Sequence, residues 1–312
     1  MPTTPASTSC IFLRTRDGHR VHVRQAGLST GEPWLVLHGG PGSGCSPSML
    51  AWFDLPWHRV VMPDQRGAGR SRPAGRLRRN TEGALLADLE QLREALGIPR
   101  WGVVGGSWGA SLALAYAARF PAAVAALVLR GTFLTGRDDI HRLFSPRHGG
   151  AGMLRRVTGQ GERVSDARAR LLTVSRVLQS GTTVQKLDTA GHWQRIERHL
   201  LGLGPMRPGR RQPWRERMAV VDKYRVQAHY LRRRAGLGKP ALLKAAAEIG
   251  SREAPVTLLH GRADAVCRPA NALRLQAVMP RARMVWVPGG HLASGAMAEA
   301  VRTAIRDSGW QR

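Results

Sequence analysis

Ser107 stands in the run VVGGSWG, Val103 to Gly109, with Gly105 and Gly109 two positions to either side. Small residues at those two places let a strand turn sharply into a helix with the serine at the apex, because a side chain at either flank would strike neighbouring backbone. The same five residues also describe an ordinary tight turn, so the rest of the chain must decide. A serine hydroxyl becomes a nucleophile only beside a base, the base needs an orienting acid, and acyl transfer needs two N–H donors for the oxyanion. HGGPGSG, His38 to Gly44, is glycine-rich and leaves backbone N–H groups free to face a ligand. The N–H of Gly40 and that of Trp108, the residue after the serine, form the natural donor pair. Asp264 in HGRAD offers a carboxylate, and His291 in VPGGH an imidazole.

These residues need elements to hold them, and the apolar pattern supplies those elements. Up to about Thr135 short apolar strands alternate with helices: VHVRQ, WLVLH, RVVMPD, a helix over Glu82 to Leu96, WGVVG, a helix after Ser107, and AALVLR. Such βα units predict a mostly parallel central sheet with helices on both faces. From about Gly136 to Gly250 no strand pattern appears, and the segment reads as short helices broken by Gly and Pro, such as RVLQS, HWQRIERHLLGLG and VVDKYRVQAHYLRRR. VTLLHG, MVWVPGG and a helix near Met297 to Asp307 then resume the βα rhythm. The expected organisation is an α/β core over 1–135, an inserted helical cap over 136–250, and the second part of the core over 251–312.

The donor loop, Ser107, Asp264 and His291 each follow a strand, at the edge where α/β sheets place their sites. Taken singly, Asp264 also reads as a loop carboxylate and His291 as a helix cap. Together, in the order serine, acid, histidine, they match the arrangement of the α/β-hydrolase fold. A catalytically silent binding protein would not need the whole set.

Composition bounds the remaining classes. A chain of 312 residues, 43% hydrophobic, can bury a full core. MPTTPASTSCIFLRTRDG has no basic start, and CIFL is too short for a signal peptide or a membrane helix, so the expectation is a cytoplasmic protein without a membrane partner. Cys10, Cys45 and Cys267 are widely spaced and lack any CxxC, which suggests three reduced thiols and no metal site. The net charge of +27 raises the question of nucleic acid. Only four of the 48 basic residues are lysine, and the arginines are scattered without interleaved aromatics, so they read as a solvated surface. The segment from Gly136 to Gly250 is the most basic, with 24 Lys and Arg against nine Asp and Glu.

HGGPGSGCSP, MPDQRGAGRS, GGSWGASLALAYA, LVLRGTF, HGRADAVCRP and PGGHLAS resemble the prolyl aminopeptidases, also called proline iminopeptidases. The resemblance covers roughly Leu35 to Leu134 and Pro255 to Ser294. It implies release of N-terminal proline from small peptides through a serine acyl-enzyme, without cofactor or metal, beneath a helical cap. The family's triad falls on Ser107, Asp264 and His291. Asp64 and Arg66, in the DQRGAGRS loop, are expected to be buried ion-pair partners near the site.

The resemblance also points to residues that choose the substrate. A free N-terminal amine calls for carboxylates at a fixed distance from the nucleophile. HWQRIE is similar to the family's WxxWE pattern and puts Glu197 in that role, with Ile196 replacing an aromatic. Gln227, in VQAHY, stands where the family has a second glutamate. Phe133 in RGTF matches a residue of the apolar proline pocket, and Cys267 follows the presumed acid on a loop that would line the site. Apart from the resemblance, Glu197 also reads as a surface glutamate, Phe133 as a core residue and Cys267 as a buried inert thiol. The resulting expectation is a prolyl aminopeptidase. An esterase or amidase of the same fold, acting on small or acidic substrates, is the alternative that the basic cap and the missing carboxylate suggest. Oligomeric state is left open.

Overall fold

The computed structural model describes residues 7–144, 167–204, 212–233 and 237–309. Eight strands form one sheet: β1 (Ser7–Arg14), β2 (Arg20–Gly27), β3 (Glu32–Leu37), β4 (His58–Pro63), β5 (Trp101–Gly106), β6 (Val124–Arg130), β7 (Val256–Gly261) and β8 (Arg283–Val287). Their order across the sheet is β1-β2-β4-β3-β5-β6-β7-β8. The first two strands pair antiparallel, and every pairing from β4 to β8 is parallel. The chain runs from β3 to β4 on one side and reaches β5 on the other. That reversal makes the C-terminal ends of β3 and β5 a topological switch point, where loops diverge and leave a crevice.

The strands expected from the sequence are all present, and their register brings the chemistry-bearing loops together. Leu37 pairs with Gly105, Gly106 with Arg130, Arg130 with Leu259, and Gly261 with Val287. The loops after β3, β5, β7 and β8 therefore leave the sheet at one level. β1 was not expected. It is an antiparallel edge strand whose adjacent Ile11 and Phe12 are both exposed, so it lacks the apolar alternation that marks a half-buried strand.

Helices α1 (Glu82–Ala95) and α2 (Trp108–Arg119) flank the sheet. They are followed by α3 (Arg137–Phe144), α4 (Ala167–Ser180), α5 (Thr183–Leu200), α6 (Trp214–Arg232), α7 (Gly238–Gly250), α8 (Pro269–Val278) and α9 (Ala296–Arg306). Between β6 and β7 the described residues contain no strand. The helices there are longer than the short broken pieces expected. α5 runs through Gly191, at a site where a side chain would meet almost nothing, so this glycine costs the helix only about 1 kcal/mol and does not end it. A capping box of Thr182 and Gln185 starts that helix.

Packing divides the segment over 136–250. Residues of α3 to α6, Phe144, Trp193 and Tyr224 among them, form one apolar cluster, although Val226 and Tyr230 on the other face of α6 pack with the sheet. Leu242, Ala246 and Ile249 of α7 instead join the cluster that holds Val103, Leu127 and Leu258 of the sheet, and α7 lies against α2. Among the described residues no helix is long and apolar enough to cross a membrane.

Candidate active site

Ser107 is the residue between β5 and α2, and its backbone takes φ 58° and ψ −121°. Such a positive φ is strained for a residue with a side chain and marks a site that its surroundings enforce. The surroundings here are tight. A Cβ on Gly105 would overlap the Gly109 carbonyl, and one on Gly109 would overlap the carbonyl of Leu37. Backbone bonds hold the apex: the Ser107 N–H donates to Arg130 O at 2.9 Å, and its carbonyl accepts from the N–H groups of Ala110 at 3.1 Å and of Ser111 and Phe133 at 3.4 Å. The hydroxyl faces Cys267 Sγ at 3.9 Å.

Asp264 and His291 meet although 27 residues separate them. His291 Nδ1 lies 2.7 Å from Asp264 Oδ2. Asp264 Oδ1 accepts from the N–H groups of Val266 and Cys267, both at 2.8 Å, which fixes the carboxylate plane. Burial works against the charge on Asp264, but the hydrogen bonds from His291 and Cys267 outweigh it and hold the carboxyl below its ordinary range. With Oδ2 accepting from Nδ1–H, Nε2 of a neutral His291 is left as the proton acceptor. The pair stands next to the serine turn: a Cβ on Gly131 would lie 3.2 Å from Asp264 Oδ2 and from His291 Nδ1. Gly131 directly follows Arg130, whose carbonyl holds the Ser107 N–H.

The donor loop lies on the other side of Ser107. A Cβ on Gly39 would come within 3.2 Å of Ser107 Cβ. Trp108 opens α2, so its N–H has no partner within the helix. The Gly39–Gly40 peptide is oriented by His38, a residue that sequence reasoning left without a role. His38 Nε2 accepts from the Gln65 N–H at 2.9 Å, and at Nδ1 the Gly39 carbonyl, 2.8 Å away, is nearer than the Gly44 N–H at 3.2 Å, so the ring proton is assigned to Nδ1, which donates to Gly39 O. Because C=O and N–H oppose each other across a trans peptide, fixing the Gly39 carbonyl aims the Gly40 N–H the opposite way. Burial pushes the pKa of His38 down, which keeps the ring neutral in this task. Gln65 completes the frame, donating to His38 O at 2.8 Å and accepting from Trp108 Nε1 at 2.9 Å.

Arg130 is a second residue that the sequence reading passed over. It sits at the end of an apolar strand, and its guanidinium donates to the His291 carbonyl and covers Gly106. A lone arginine after AALVL was the signal available. Arg66 is the buried ion-pair partner expected: it donates to both oxygens of Asp88 and, at 2.5 Å, to Asp17 Oδ2. Asp64 differs from that expectation. Its oxygens accept from the N–H groups of Cys45 at 2.7 Å and Arg70 at 2.8 Å, with His22 Nδ1 at 3.4 Å, because the loop turns its amides toward the carboxylate.

The residues named as substrate-choosing fall into one neighbourhood. Phe133 and Cys267 belong to the same apolar cluster as Trp193, Ile196 and Tyr224. Cys267 is fully buried, and burial raises its thiol pKa well above the ordinary value. Glu197 on α5 and Gln227 on α6 are hydrogen-bonded to each other, Gln227 Nε2 donating to Glu197 Oε1 at 2.6 Å. Lys223 and Tyr224 also bind Glu197, and neither was anticipated. A cation one turn before Gln227 on the same helix was the available signal. Among the described residues no cluster of three His, Cys, Asp or Glu side chains could hold a metal ion.

Comparison with known proteins agrees with this architecture. The family model for the α/β hydrolase fold matches residues 33–295. A proline iminopeptidase of Xylella fastidiosa (strain 9a5c) is 36% identical over 297 residues, covering 90% of each chain. A proline iminopeptidase of Neisseria gonorrhoeae is 33% identical over 305 residues, covering 95% of this chain and 94% of its own. The crystal structure of a proline iminopeptidase-related protein from Thermus thermophilus superposes with a TM-score of 0.57 at 25% identity, covering 96% of this chain and 98% of that one. The chain is therefore an enzyme of the α/β-hydrolase fold and belongs to the proline iminopeptidase family.

Proposed function

We propose that this enzyme is a prolyl aminopeptidase acting on small peptides through a serine acyl-enzyme. The observation that carries the reading is the 2.7 Å pair of His291 and Asp264 beside the strained turn at Ser107. Ser107 Oγ turns from Cys267 to His291 Nε2, gives up its proton there, and attacks the prolyl carbonyl carbon. Asp264 stabilises the imidazolium through Nδ1–H. The carbonyl oxygen takes up the negative charge and accepts from the N–H groups of Gly40 and Trp108. Such donors are worth roughly 3–4 kcal/mol each in the transition state. Collapse of the adduct breaks the C–N bond, and the leaving amine takes the proton from Nε2. A water molecule, deprotonated by the same nitrogen, then cleaves the prolyl ester and frees proline.

The helices from Arg137–Phe144 to Trp214–Arg232 serve as the cap, with α7 assigned to the core that it packs on. Phe133 and Cys267 line the ring pocket, and Glu197 and Gln227 face the ring nitrogen of the substrate's N-terminal residue. Hydrolysis of proline β-naphthylamide, alanine β-naphthylamide and p-nitrophenyl acetate tests the assignment directly. The proline amide should be cleaved faster than the alanine amide, and Ser107→Ala should abolish both activities while the protein keeps its fold. A Ser107→Ala protein retaining a tenth of wild-type turnover would remove the serine from the mechanism, since members of such a triad act as a unit.

A further inference from the structure

The carboxylate proposed to receive the substrate amine already holds a cation of its own chain. Lys223 Nζ lies 2.7 Å from Glu197 Oε2. The Tyr224 hydroxyl donates to the same oxygen at 2.9 Å, and Gln227 Nε2 donates to the other at 2.6 Å. A carboxylate offers about four acceptor sites, so three donors leave roughly one open. The lysine also cancels the charge. Glu197 is thus present but neutralised.

Neighbouring contacts keep Lys223 in this place. A Cβ on Gly42 of the donor loop would lie 2.6 Å from the Lys223 carbonyl oxygen, so this turn of α6 sits directly on the loop that carries Gly40. The ammonium lies 4.6 Å from the centre of the Tyr224 ring, and that ring stacks on Trp193 at 5.0 Å. Gln227 is only 2% exposed, and its Oε1 has no hydrogen-bond partner among the described residues. A buried acceptor of this kind is costly until a donor reaches it. Its partner need not carry charge.

We propose that Lys223 is a specificity-determining residue that adapts this subsite to a neutral ring N–H with an acceptor oxygen beside it, the chemistry of a 5-oxoprolyl group. Gln227 Oε1 accepts the lactam N–H, and the Lys223 ammonium supplies a donor for the lactam oxygen. A prolinium ring has no group that could use that donor, and its cation meets a like charge. The inference rests on the peptidase reading above, because it concerns the residue released by the same Ser107 chemistry.

The test compares kcat/KM for prolyl and 5-oxoprolyl β-naphthylamide, each divided by the p-nitrophenyl acetate rate of the same protein to correct for any disturbance of the triad. In the wild type the 5-oxoprolyl amide should be cleaved at least as well as the prolyl amide. Lys223→Met should shift the ratio toward prolyl by about tenfold or more, chiefly through KM, because it frees a charged acceptor for the amine and removes the lactam donor. Lys223→Arg, which retains the charge, should hold the ratio near that of the wild type. An unchanged ratio in Lys223→Met, or a wild type that cleaves the prolyl amide better than the 5-oxoprolyl amide, overturns the role of Lys223 and leaves the peptidase reading standing. Cleavage of the acetate with neither amide cleaved by any of the three proteins refutes the peptidase reading, and this inference with it.

Discussion

Replacing Asp264 by asparagine isolates the proton position on His291 from its place in space. The two side chains have the same shape, but the amide has one acceptor oxygen and one donor NH2. Asp264 Oδ1 faces two N–H donors, from Val266 and Cys267, at 2.8 Å each. An asparagine NH2 at that position would oppose both, so its oxygen must stay there and its NH2 must face His291 Nδ1. The imidazole then accepts at Nδ1 and carries its proton on Nε2, where it can no longer take one from Ser107. The same tautomer reversal in another serine hydrolase lowers kcat by about 10⁴, equivalent to roughly 5.4 kcal/mol in the barrier. Asp264→Asn should therefore reduce kcat for an amide by about that factor near neutral pH, with KM little changed. Circular dichroism and thermal melting should place the variant close to wild type, because both backbone bonds to the side-chain oxygen survive. The reasoning is refuted if a folded Asp264→Asn protein keeps more than about a tenth of wild-type kcat, since that loss would be only about 1.4 kcal/mol.

Two further perturbations follow from the geometry. His38→Ala releases the Gly39 carbonyl and with it the aim of the Gly40 N–H, so kcat should fall by about a hundredfold for amide and ester alike; a lowered melting temperature with unchanged kcat would leave His38 a purely structural residue. Cys267 is fully buried with its thiol pKa raised, yet its sulfur lies 3.9 Å from Ser107 Oγ. Iodoacetamide should therefore modify it slowly near neutral pH, with activity lost in step with labelling, and full activity after complete labelling would exclude it from the substrate pocket.

Some of this protein was legible in its sequence because the governing forces act over a few residues. Gly105 and Gly109 are required by overlaps with backbone that any strand-to-helix turn of this kind would meet, so the spacing together with the flanking strand and helix pattern pointed to the turn at Ser107. The strands β3 to β7 were legible because burial from both faces imposes near-continuous apolar runs. Edge strand β1 escaped, since a strand covered on one side only partly need not keep that pattern.

What tertiary structure decided were relations between distant side chains. The resemblance pointed to Glu197 and Gln227, but their 2.6 Å contact depends on how α5 lies against α6, and no local spacing encodes it. The same packing places the Lys223 ammonium on Glu197 and so sets the net charge of the subsite. His38 had no role until the fold put Gln65 on one face of its ring and the Gly39 carbonyl on the other. α7 packs with the sheet because its apolar face met α2, although its position in the chain groups it with α3 to α6. Local sterics and periodicity are written residue by residue, whereas hydrogen-bond partners and charge balance are fixed only when the elements pack.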